Sequence, residues 1–64
     1  MKEVPYSHDR MIEIVKEYPE YEHFNNKEEA VIHAQEKERQ GYSAAIMKIG
    51  VGTGAGWNVF LKKN

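Results

Sequence analysis

Two strand-like runs near the C-terminus carry large apolar residues on both of their faces, and this limits what the chain can fold into more than any other feature. Tyr42-Ser43-Ala44-Ala45-Ile46-Met47-Lys48-Ile49 and Trp57-Asn58-Val59-Phe60-Leu61-Lys62 read with a period of two, the spacing that sends alternate side chains to opposite sides of a sheet. Trp57, Val59 and Leu61 then share one side and Phe60 takes the other, while Ala44 and Ile46 oppose Ala45, Met47 and Ile49. A sheet solvated on one face alternates apolar with polar. This one does not, and 64 residues leave little chain with which to cover both faces.

The clearest cover is a helix from about Asn26 to Gln40. Asn26 stands three residues before Glu29, an Asn form of the capping box in which side chains satisfy the orphan N–H groups of the first turn. Ala30, Val31 and Ala34 make a thin apolar stripe, and Gly41 supplies the left-handed stop. So narrow a stripe roofs one sheet face only.

Residues 8–18 admit two readings. Ser7 can cap a helix from His8 to Tyr18, with Met11, Ile14, Val15 and Tyr18 on one face and Pro19 as the stop. Met11-Ile12-Glu13-Ile14-Val15 also reads as a strand, and the strand is preferred because a hairpin plus a thin helix is barely stable without a third strand. The expected architecture is α+β, a single domain over residues 1–64: a split β-α-β-β unit with a three-stranded antiparallel or mixed sheet and one helix on one face. Its last strand lies between the first two and runs antiparallel to both. The alternative order is α-α-β-β.

The letters Asn25-Asn26-Lys27-Glu28-Glu29-Ala30, Gly41-Tyr42 and Gly56-Trp57 resemble the rhythm of many β-α-β-β units, the peptidoglycan-binding SPOR repeats among them. That family also needs a second helix and strand and a secretion route, none of which the sequence is read as having. These letters are helix-start and turn chemistry, and no family is assigned on them.

A three-stranded sheet under one helix leaves Met47, Ile49 and Phe60 uncovered. Each large side chain fully buried is worth about 1.5–3 kcal/mol, against about 3–5 kcal/mol from the whole core of so small a domain. A homo-oligomer or permanent partner is therefore expected, with Met47, Ile49, Phe60 and Tyr42 at the interface. The competing cover is the segment Tyr18–Phe24 folding over that face within one chain.

The net charge of −1 hides an asymmetry: all ten acids precede Gly41, and the residues after it carry only Lys48, Lys62 and Lys63. A half without carboxylates does not repel an anion. Between the two strands, Gly50-Val51-Gly52-Thr53-Gly54-Ala55-Gly56 has glycine at every second place. Its letters match a dinucleotide fingerprint, but no helix follows to meet a pyrophosphate, and no Lys-Ser or Lys-Thr closes a P-loop. What survives is a glycine-rich turn whose N–H groups can face an anion, with Trp57 as a stacking surface. The candidate ligand residues are Gly50, Gly52, Thr53, Gly54, Gly56, Trp57, Lys48 and Lys62.

Other chemistries find little support. His8, His23 and His33 form no His-x-x-x-His pair, and His33 reads as a solvated helix residue near Glu29; no metal site is expected. Ser7, Ser43 and Thr53 lack an adjacent base, so no catalytic residue, enzyme activity or cofactor is expected. Absent cysteine excludes disulfides and cysteine-based zinc sites. No Lys/Arg stripe invites duplex nucleic acid. No run nears the roughly 18 apolar residues of a membrane span and no signal segment opens the chain, so a cytoplasmic protein is expected.

The expected function is that of a non-catalytic, small oligomeric binding protein that sequesters or senses an anionic, nucleotide-like ligand. The alternative is a protein-binding module that inhibits or modulates a larger partner through its free sheet edge, as accessory proteins of mobile elements do.

Overall fold

A computed structural model describes residues 1–50 and 56–64. The chain forms β1 (Lys2–Val4), α1 (His8–Glu17), β2 (Glu20–Phe24), α2 (Lys27–Arg39), β3 (Tyr42–Ile49) and β4 (Gly56–Lys63). The strands build one mixed sheet in the order β1-β3-β4-β2. β1 runs parallel to β3, and β4 is antiparallel to both β3 and β2. No helix among the described residues is long and apolar enough to cross a membrane.

The class is α+β as expected, but among the described residues the sheet has four strands rather than three and there are two helices rather than one. Met11–Val15 is helical, not a strand. Local chemistry decides this: the Ser7 side chain accepts from the Arg10 N–H at 3.1 Å, Asp9 and Lys16 suit the helix dipole at either end, and Pro19 follows the last turn. The strand that flanks β4 is Glu20–Phe24, so the last strand is indeed antiparallel to both neighbours, with a different partner on one side.

The second helix follows its sequence signals closely. Asn26 caps it, its Oδ1 accepting from the Glu29 N–H at 2.8 Å, and Gly41 leaves it at φ 94°, a conformation in which a side chain is strained. Ala30 and Ala34 are fully buried against Ala44, Ile46, Val59 and Leu61, with Phe24, Val31, Tyr42 and Trp57 around the rim.

The opposite face is covered by α1. Ile14 packs with Val4, Ala45, Met47 and Phe60, and Met11, Tyr18 and Ile49 lie at the margin. The division of β3 and β4 residues between two faces is the one their alternation implies. The interface expectation is corrected: Met47 is 0% exposed and Phe60 1%, so neither is available to a partner. Ile49 is half-buried beside them, while Tyr42 belongs to the other face, under α2. The apolar patch that argued for assembly is roofed by the chain's own N-terminal segment, chiefly through α1 and Val4, with Tyr18 at the margin and the Tyr21 ring beside Phe60.

Candidate functional site

The β3–β4 pairing makes Lys48 and Trp57 cross-strand neighbours, with Ile49 and Gly56 as the pair beyond them. Lys48 shares its side of the sheet with Ile46, and Trp57 with Val59, so both project on the α2 side. The parallel register of β1 places Glu3 beside Ile46 on that same side. At this end of the sheet, Lys48, Gly50 and Trp57 line a cleft of about 470 Å³ whose other wall is Glu3, Val4, Pro5 and Tyr6.

The first turn of α2 adds a residue absent from the sequence expectation. The Lys27 ammonium stands 5.2 Å from the centroid of the Trp57 ring, within cation–π range, and 3.3 Å from a Glu3 carboxylate oxygen. Both partners of this ion pair are about half exposed, so its net worth is small. Its consequence is geometric: one ammonium is held at the aromatic face, shared between an indole and a carboxylate. Gly50 turns the chain out of β3 at φ 81°, which again favours glycine.

The other expected ligand residues fare differently. Gly52, Thr53 and Gly54 lie outside the described residues. Lys62 pairs with Ser43 at the far end of β4, five residues from Trp57 and so about 17 Å away along the strand, on the opposite face; it does not join the cleft. Gly56 is buried, and its need for glycine comes from packing. A Cβ there would stand 2.3 Å from His23 Cε1 and 2.9 Å from the Phe24 carbonyl. The His23 ring fills that space with Nδ1 2.8 Å from Asn58 Oδ1.

The histidines are dispersed: His8 opens α1, His23 lies on β2 and His33 on α2. The acidic neighbour of His33 is Glu22, not Glu29. His33 Nε2 approaches a Glu22 carboxylate oxygen at 2.9 Å without the alignment of a hydrogen bond, and that nitrogen is buried. The His33 ring packs tilted on Phe24 with centroids 5.0 Å apart. No group of three or more His, Asp or Glu side chains among the described residues is placed to hold a metal ion.

No protein-family model, curated protein or solved structure matches the chain. The site must be read from its own chemistry. Lys48 and Trp57 were legible because a lysine and the single tryptophan flank a glycine-rich turn. Glu3, Tyr6 and Lys27 carried no such signal, since only the β1–β3 pairing and the entry angle of α2 bring them there.

Proposed function

We propose that the chain is a non-catalytic binding protein whose cleft beside Trp57 takes a small anionic ligand with a flat ring, a nucleotide being the leading chemistry. One observation carries the reading: Lys48, Gly50 and Trp57 meet in one cleft of about 470 Å³, and Lys27 stands over the indole. That volume is within the range of about 300–1,000 Å³ usual for small-molecule sites. An aromatic face supports base stacking, worth about 1–3 kcal/mol per base when removed, and Lys48 offers a charge for a phosphate. Glu3 competes with the ligand for Lys27, so an entering anion would replace Glu3 as the partner of that ammonium.

The non-catalytic part of the reading rests on the titratable lining, a carboxylate already shared with Lys27, a lysine and a tyrosine, with no nucleophile beside a base among the described residues. Sequestering or sensing fits such a site, and a nucleotide ligand agrees with the cytoplasmic location expected from the sequence. Oligomer formation drops out of the proposal because its motivating patch is buried within one chain.

Trp57 is the only tryptophan and reports on its own cleft. Titration with mono-, di- and cyclic nucleotides should quench its fluorescence, with Lys48→Ala weakening binding several-fold and Glu3→Gln tightening it. Flat fluorescence and unchanged melting temperature across the whole panel would remove the reading.

A further inference from the structure

The opposite edge of the sheet carries a second, independent site. We propose that the free edge of β2, with the groove beside it, docks an extended segment of another protein in which basic and apolar side chains alternate.

The edge itself is the first observation. Among the described residues β2 pairs with β4 alone, and alternate residues of Glu20–Phe24 turn backbone groups outward with no strand partner. Such a row is a template for strand addition. The other edge, β1, has only three residues.

The two sides of β2 differ sharply in chemistry. Glu20 and Glu22 lie opposite Leu61 and Val59, hence on the α2 side, and both are exposed. Among the described residues neither is ion-paired with a lysine or arginine; Glu22 meets only His33. Glu29, one turn before His33 on the same flank of α2 and also exposed, extends this acidic strip. On the α1 side stands Tyr21, 67% exposed, its ring 6.2 Å from that of Phe60. Tyr21 borders a groove of about 250 Å³ walled by Met11 and Val15 and floored by Phe60 and Asn58.

A strand added to this edge projects successive side chains to alternate sides. Those on one side meet carboxylates that have no lysine or arginine partner among the described residues, and those on the other meet Tyr21 and the apolar groove. Alternating Lys or Arg with apolar residues satisfies both. A second copy of this chain does not. Antiparallel self-pairing about a two-fold axis normal to the sheet gathers Glu20 and Glu22 of both copies on one face, and centring it on Glu22 sets that residue against itself. Like charges so placed oppose pairing.

The test is amide-resolved NMR of the whole chain with three synthetic heptapeptides: Lys-Val-Lys-Tyr-Lys-Val-Lys, its counterpart with Glu for Lys, and a reordered form with the lysines adjacent. The alternating basic peptide should shift the amides of residues 20–24 together with Met11 and Val15, and bind about tenfold more tightly than the other two. Glu20→Lys with Glu22→Lys, both at exposed positions, should invert the preference between the basic and acidic peptides. Val15→Ser should weaken the basic peptide without touching Trp57 fluorescence. Equal binding of the reordered peptide, shifts centred elsewhere, no binding at all, or concentration-dependent β2 shifts without peptide would each overturn the proposal. Nucleotide titrations read the other edge, so failure here leaves the cleft reading standing and the reverse also holds.

Discussion

The two faces of the sheet are covered by helices of opposite character. The second helix buries two alanines, Ala30 and Ala34, both fully, and small side chains at the contact let a helix sit close to its neighbour. The first helix carries larger apolar residues, yet only Ile14 is buried, while Ile12 and Val15 are 42% and 47% exposed. A thin stripe of small residues therefore seals its face, whereas a strongly amphipathic helix leaves a groove. What decides closure is how near the backbone can come, not how oily the helix looks. Beneath α2 the sheet is closed except at its Lys48–Trp57 end, where the cleft of about 470 Å³ opens, whereas α1 leaves its groove directly beside the helix, at Met11 and Val15.

The largest test of this contrast is Phe60→Ala. Phe60 is the one large side chain that α1 and Tyr21 jointly hold down, and its removal should cost about 3–5 kcal/mol. That is comparable with the whole stability of a domain this small, so chemical denaturation should find the variant largely unfolded. Enlarging a side chain sharpens the comparison. Ala34→Leu overfills the sealed face and should cost about 1–3 kcal/mol, while Val15→Leu on the open face should stay within about 0.5 kcal/mol; equal losses would erase the distinction. Gly56→Ala should also cost about 1–3 kcal/mol, because His23 must leave its place, and the His23 ring resonances should move with it. The caps give the smallest effect: Asn26→Ala and Ser7→Ala should each cost about 1 kcal/mol. Hydrogen exchange should then show Ser7→Ala opening α1 alone, since α1 is bound by fewer buried groups, and Asn26→Ala loosening the whole sheet.

Legibility in the sequence followed the same division. The extent of α2 and the face assignment of β3 and β4 could be read directly, whereas Lys48 and Trp57 were candidates whose pairing only the β3–β4 register supplies. The segment from His8 to Tyr18 could not be settled: Ile12 and Ile14 fit a strand as well as Met11, Ile14 and Val15 fit a helix, and the preference for a strand came from needing a third one. That need was real, but Glu20–Phe24 met it, a run of mostly exposed residues with no apolar alternation to mark it. Once β2 takes the edge, Met11–Val15 is free to obey its Ser7 cap and to cover Met47 and Phe60.

Caps, stops and strand alternation belonged to the sequence alone, because each depends on groups within about four residues of one another. Asn26 reaches Glu29, Ser7 reaches Arg10, and Gly41 turns its own backbone. Only the tertiary structure decided β1, β2, the cleft and the groove. Lys2 finds Ala45 and Tyr21 finds Phe60 about forty residues away, and edge strands draw their stability from such distant partners, leaving no local pattern in their own side chains.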